Sequence, residues 1–474
     1  MFATSAAVLV LEILAGRLLA PYLGVSLEVF TGIIGVVLAG ISLGAWLGGR
    51  AADRREPSGL LGPLLVGGGL AAMAAPLIVD FAGPIARGGP VSIVALTAVG
   101  FFLPAALLSA VPPVVVKVRL ASLDETGSVV GSYSAIGTAG AIFGTFVTGF
   151  ILIAAFPTRP IVLGLGVALV AGGALLWRGK GRPATVVAAL IAAGLGAALV
   201  LAQGPCDYET TYHCAIVQSD PLRPSGRLLI LDRGFNSYVD LADPTYLEFR
   251  YLEAISDVVD VEAPRGPIDV VSIGGGGFTF PRYLAATRPG TEHVVLEIDR
   301  ELLDIGRSDL GFEDEAEVVI DDARRSLQEV APDSLDLVVG DAFSGLSVPW
   351  HLTTAEFVSE ISDRLRADGI YAVNVIDYFE APFARSATAS LQEVFGHVAV
   401  IAPPAYFAGG EDGGNFVLVG SNRPIDVAGI EGEIIARRGS EIVVTGEGLD
   451  RFVGDAKPLR DDFAPVDQMI SWHY

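Results

Sequence analysis

Apolar residues run almost unbroken through positions 1–202, separated by short polar or glycine- and proline-containing breaks. A helix needs roughly 20 apolar residues to cross a bilayer. About seven runs reach that length, near 2–23, 28–49, 60–80, 90–112, 129–155, 160–177 and 184–202. The pattern predicts an α-helical transmembrane bundle over 1–202. A cleaved signal peptide does not account for the start, because no basic segment precedes the first run and a second run follows at once.

From residue 203 the periodicity changes. Between Tyr212 and Asp243 the pattern is strand-like, with Ala215 to Gln218 and RLLILD (Arg227 to Asp232) bounded by Pro, Gly and Asn. A small β-rich lead-in over 203–262 is expected, closing with the helical pattern YLEFRYLEAISDVV. Apolar strands and helical stretches then alternate. The order is IDVVSIG, a helix over 281–287, HVVLEID, a helix from about Arg300, AEVVI, a helix around Arg324 to Val330, LDLVVGD, a helix from Thr354 to Ala367, and GIYAVNVI. Such alternation predicts a Rossmann-like, doubly wound α/β domain over 263–474, with mainly parallel strands and ligands at their carboxyl ends.

Charge sharpens the division. Of 31 Lys plus Arg and 54 Asp plus Glu, residues 1–202 hold 11 and 7, leaving 20 and 47 for the remainder. So acidic a second half argues against nucleic acid, whose phosphates need a basic face. It suits either plain solubility, with lysine only at 117, 180 and 457, or attraction of a cationic substrate. The basic residues of the first half sort by loop. Arg50, Arg54, Arg55, Lys117, Arg119, Arg178, Lys180 and Arg182 follow even-numbered runs, against Arg87 and Arg159 after odd-numbered ones. The positive-inside rule then puts the even-to-odd loops in the cytoplasm of a multi-pass cell-membrane protein and the acidic half outside. Cys206 and Cys214 sit just past the last run, where a disulfide would fit an oxidising side; free thiols or a zinc site are the alternatives.

Within the first half, Gly44 and Gly48, and Gly140 and Gly144, stand at helix-contact spacing. Glu12 and Arg17 lie inside the first run, as a structural ion pair or a substrate or proton site. Pro104, Pro112 and Pro113 should kink or end the fourth run.

The chemistry gathers at predicted strand ends. GGGG (Gly274 to Gly277) follows the first strand and lets a backbone approach a ligand. Glu297 ends the next strand about 20 residues on, where a carboxylate accepts ribose hydroxyls. Asp321 and Asp322 end the third strand and Asp341 the fourth. Acids at three successive strand ends point to a cleft rather than a solvated face. No Lys or Ser/Thr completes a phosphate-binding loop, so triphosphate chemistry is not expected, and no metal site is either. An NAD-type site shares the glycine turn and acid. The extra acids favour a phosphate-free nucleoside cofactor, S-adenosylmethionine or decarboxylated S-adenosylmethionine.

Those residues resemble the spermidine synthases, or polyamine aminopropyltransferases, and especially their membrane-fused relatives. The resemblance runs from about Glu209 to Asp377 through ETTYHCAIV, GRLLILDRGFNSYVDLADP, VVSIGGGG, VVLEID, VIDDAR and DAFSGLSVPWHLTTAEFVSEISDRLRADGIYAVNV; EILAGRLLAPYLG and GVVLAGISLGAWLGGRAADRR resemble the membrane half. It implies a class I methyltransferase-like fold. Gly274, Gly275 and Gly276 would line the nucleoside-thioether pocket, Glu297 would hold the ribose, Asp322 would contact the adenine edge, Asp321 would join the cofactor-binding set, and His213 would touch cofactor unless it is only structural. Asp341 would be catalytic, orienting and deprotonating the attacking amine. Four departures stand out. Gly277 replaces a diamine-holding aspartate, Ser344 replaces a second one three past Asp341, and His213 and Asn236 replace glutamines.

The expectation is therefore a membrane-anchored aminopropyltransferase acting on a small cationic amine other than plain putrescine, with the lipid bilayer as partner and a homodimer as assembly. Ser344, Trp350, His351 and Tyr251 are the substrate-side candidates; Trp350 and His351 are equally readable as a packed loop, and Tyr246, Tyr251 and Tyr378 as packing residues. The alternatives are a methyltransferase of the same fold, and a polyamine or nucleoside transporter or sensor without turnover. The charge pattern and the cysteines favour an exterior site, and the cofactor a cytoplasmic one.

Overall fold

The computed structural model of the chain describes all residues except 87–88, 121, 123–125, 178–181, 203, 343–347, 409–412 and 471–474. Two compact units emerge, Met1–Cys214 and the chain from Ala215 onward.

Among the described residues, the first unit holds seven helices long and apolar enough to cross a membrane: Phe2–Leu23, Leu27–Arg54, Ser58–Ile85, Gly89–Arg119, Thr126–Ala155, Thr158–Leu176 and Pro183–Leu201. Small residues set their closest approaches. A Cβ on Gly44 or Gly48 would run into the carbonyls of Ala106 and Ala110, and one on Gly140 or Gly144 into those of Phe2 and Ala6. Pro104 follows a π-helical turn at Ala98–Phe102, and Pro112 and Pro113 open the stretch Val111–Arg119. The helix is interrupted at Ala110 and restarts with these prolines in its first turn, where proline forfeits no hydrogen bond, so the apolar segment extends past its expected end near 112 to Arg119.

The expected pairing of Arg17 with Glu12 does not form. Arg17 Nε meets Glu209 Oε1 at 3.2 Å, and its remaining nitrogens donate to the carbonyls of Thr210 and Thr211. Five residues along a helix separates two side chains by more than a turn, whereas the segment after the last helix brings Glu209 to Arg17. Glu209 also accepts from the Thr158 N–H. The same segment is closed by a Cys206–Cys214 disulfide.

The second unit begins with antiparallel β2 (Cys214–Ser219), β3 (Gly226–Leu231) and β4 (Gly234–Asp240), preceded in the first unit by the short β1 (Tyr208–Glu209). Its main sheet contains β5 (Asp269–Ile273), β6 (Glu292–Glu297), β7 (Glu317–Ile320), β8 (Leu335–Gly340), β9 (Leu365–Asp377), β10 (His397–Ala402), β11 (Gly414–Ser421) and β12 (Ile442–Val444). The order is β12-β10-β11-β9-β8-β5-β6-β7. β7, β6, β5, β8 and β9 run parallel, as their apolar character predicts for strands covered on both faces. β11, β10 and β12 extend the sheet antiparallel. One face packs on helices Ala355–Ser362 and Pro382–Val394, the other on Arg250–Glu262 and Val427–Ala436. Helix Ala355–Ser362 stops short of its expected end at Ala367, because the chain turns there into β9.

Candidate active site

Parallel strands β5, β6, β7 and β8 end along one edge of the sheet, and each is followed directly by candidate residues. The glycine loop after β5 is shaped first by its own protein neighbours. Gly274 and Gly276 have φ of 94° and 49°, a region that suits glycine. A Cβ on Gly274 would come within 2.5 Å of the Asp341 carbonyl, and one on Gly275 within 2.8 Å of the Phe278 ring. On Gly276 it would meet Asn236 Oδ1 and Ser237 Oγ at 2.7 Å, and on Gly277 the Ser237 Cβ, also at 2.7 Å. Ser237 Oγ accepts the Gly277 N–H at 2.9 Å. The position that lacks an acid is therefore occupied from the β4 side by Ser237.

Glu297, buried at the end of β6, ties this loop to the next strand. Its Oε2 accepts the Gly275 N–H and its Oε1 the Asp299 N–H, both at 2.8 Å. A carboxylate offers about four acceptor positions. Two are used, which leaves capacity for a vicinal diol. After β7, Asp322 caps helix Ala323–Leu327, accepting the Arg325 N–H at 3.1 Å, and its second oxygen lies 2.9 Å from His351 Nε2. Burial would push the Asp322 carboxyl up, but the bonds from His351 and the backbone outweigh it and hold it below the ordinary range. Asp321 turns to the Asp322 N–H and to Arg325 instead.

Asp341 follows β8. Its Oδ2 accepts the Tyr251 hydroxyl at 2.7 Å and its Oδ1 the Asn374 amide at 2.9 Å; Asn374 in turn accepts from Asn415 at 2.9 Å. Burial pushes the Asp341 carboxyl up, with the bonds from Asn374 and Tyr251 opposing it. The Tyr251 hydroxyl is pushed well above its ordinary value by burial and by the adjacent carboxylate, so it stays a donor. Such a carboxylate can take a proton or hold an ammonium group.

The structure thus gathers Gly274 to Gly276, Glu297, Asp321, Asp322, His351, Asp341 and Tyr251 at one sheet edge. Tyr251 is buried, yet its hydroxyl is on Asp341, so it is not a packing residue alone. Trp350 is half-exposed with its ring edge-on to His351. His213 belongs to the first unit, where its carbonyl accepts from Thr210. Ser344 lies outside the described residues. Sequence reasoning missed Asn374, Asn415 and Ser237. A signal existed for the first, the one amide in the apolar run Ile370 to Ile376. Asp377, another strand-end acid, faces inward: burial pushes it up to about 6, and it accepts the N–H groups of Tyr378 and Ala384.

No family model matches the chain. A crystal structure of a probable spermidine synthase from Corynebacterium glutamicum is similar to it at 27% identity and a TM-score of 0.51, covering 54% of this chain and 96% of that one. The second unit has a spermidine synthase-like fold. Among curated proteins, polyamine aminopropyltransferase 1 of Aquifex aeolicus is 27% identical over 177 residues, 36% of this chain and 59% of the relative. An N-terminal histidine N-methyltransferase of Emericella nidulans is 31% identical over 139 residues, 28% of this chain and 25% of that protein. The chain thus spans less than two thirds of either curated relative. The spermidine synthase-like unit has methyltransferase relatives as well.

Proposed function

We propose that the chain is an integral-membrane transferase whose second unit moves an aminopropyl group from an adenosylmethionine-type donor to a small amine other than plain putrescine. The observation that carries this reading is Asp341, a partly buried strand-end carboxylate held on both oxygens by neutral donors, beside the Glu297-pinned glycine loop. The donor set fits the nucleoside end of such a molecule, since Glu297 keeps acceptor capacity for a ribose diol and the Asp322–His351 pair stands one strand further.

A bound sulfonium supplies an electrophilic carbon and leaves as a neutral thioether. Asp341 does the complementary work. It orients the amine and takes its proton, so that the nitrogen lone pair forms the new C–N bond while the C–S bond breaks and its electrons stay on sulfur. No covalent enzyme intermediate is required, and positioning with fixed charge provides the acceleration. The absence of an acid at Gly277, where Ser237 stands instead, supports an acceptor with fewer cationic centres than a diamine.

A methyltransferase is the second reading, favoured by the histidine methyltransferase relative. The test incubates the full chain in detergent with adenosylmethionine or its decarboxylated form and a panel of amines. Release of methylthioadenosine supports aminopropyl transfer. Release of adenosylhomocysteine replaces it with the second reading, and neither product overturns both.

A further inference from the structure

The stretch RDDFAPVDQ near the end of the chain has no part in the chemistry above, yet its turn is anchored beside the Asp322–His351 pair. Arg324 makes the connection. Its Nη1 and Nη2 donate to the two oxygens of Asp461, each at 2.8 Å, a fork that fixes both partners in one plane. The same guanidinium donates to Glu360 at 2.7 and 2.9 Å and to the His351 carbonyl at 3.2 Å. Asp461 also accepts from the Thr354 hydroxyl at 2.7 Å, and Thr354 caps helix Ala355–Ser362. Backbone bonds hold the turn in place: Ala355 donates to the Leu459 carbonyl at 2.9 Å, and Arg460 and Phe463 bond each other. Leu459 is buried in the core.

These contacts converge on the turn Trp350–Leu352 from two sides. Arg324 holds the carbonyl of His351, while Asp322, which caps the helix carrying Arg324, holds its imidazole. Asp461 thus holds the guanidinium that bonds the His351 carbonyl, while Asp322 bonds the imidazole. The Asp322 carboxyl, kept ionised by these bonds, then presents a fixed acceptor at the edge of the site.

We infer that the C-terminal turn Leu459–Phe463 is a latch, and that Asp461 and Arg324 are positioning residues that set His351 against Asp322 to form the wall recognising the base of a purine nucleoside. This rests on the nucleoside-thioether reading of the site proposed above. It assigns the end of the chain a part in ligand affinity that no contact with the ligand would reveal.

The test is a double-mutant cycle on methylthioadenosine binding, measured by calorimetry on the full chain in detergent. Asp461→Asn removes the charged half of the fork and His351→Ala removes the element it positions. Each single variant should weaken binding about tenfold, a loss of roughly 1.4 kcal/mol. The double variant should bind no more weakly than His351→Ala alone, because Asp461 acts only through that residue. Unchanged binding in Asp461→Asn overturns the latch, and so do losses that simply add. Arg324→Lys, which keeps the charge but not the fork, is the second variant should Asp461→Asn fail to fold, as judged by its melting transition. It should reproduce the loss and the same non-additivity, and wild-type affinity in it overturns the latch. Absence of binding by the unaltered chain overturns the nucleoside reading itself, and the latch with it, an outcome distinct from an unaffected variant.

Discussion

Asp341 receives hydrogen bonds on both oxygens from groups that carry no charge, so its ionisation is governed by burial more than by any ion pair. Its carboxyl titrates above the ordinary value near 4. Because the ionised form accepts the proton, turnover should rise with pH through that raised value, with the acid limb displaced upward. Asp341→Asn should remove the limb and lower turnover by roughly 10²- to 10⁴-fold while leaving methylthioadenosine binding intact. A variant that loses binding in parallel with turnover would make Asp341 a cofactor ligand instead. Strand-end acids were legible in the sequence because a carboxylate placed directly after an apolar strand stands where the sheet opens into a cleft. The amides that hold Asp341 were not: Asn374 and Asn415 lie 33 and 74 positions beyond it, and only the pairing of β8, β9 and β11 brings them together.

The contact between strand β4 and the glycine loop fixes how the loop is substituted. Gly277→Ala should destabilise the chain by about 1–3 kcal/mol, because its Cβ would lie 2.7 Å from that of Ser237 and 3.5 Å from Leu310. In a Ser237→Gly background the cost should largely vanish, as denaturant melts of the four proteins would show. An equal cost in both backgrounds would mean the loop, not the hairpin, rejects the side chain. Parallel β5 to β9 could be read from their apolar runs, since strands covered on both faces have no polar alternation. Direction is a different matter. β10, β11 and β12 are as apolar as their neighbours, and nothing local records that they run antiparallel. The four acids and the glycine loop were found for the same reason the strands were, whereas Ser237 depends on a hairpin packing against a loop 40 residues later.

If the seven apolar helices span a membrane as proposed, two features of the chain bear on which side the segment after the seventh lies. Basic residues concentrate after even-numbered helices, and Cys206 and Cys214 are bonded, a state that persists in oxidising compartments. A reporter fused after residue 205 should read outside and one between the second and third helices inside. Matching signals would refute this topology. With an exterior site, the adenosine-bearing donor would have to be supplied across the bilayer. The Tyr251–Asp341 bond has a separate consequence for how the molecule comes into being. Tyr251 leaves the ribosome 90 residues before its partner. Its helix is buried by β9 and β11, which are made later still, and Asn415 arrives last of the four. Contacts so distant in sequence form slowly, after the loops between them have closed. The carboxylate can therefore acquire both of its donors only when synthesis has passed Asn374 of β9, and the amide that holds Asn374 follows with β11.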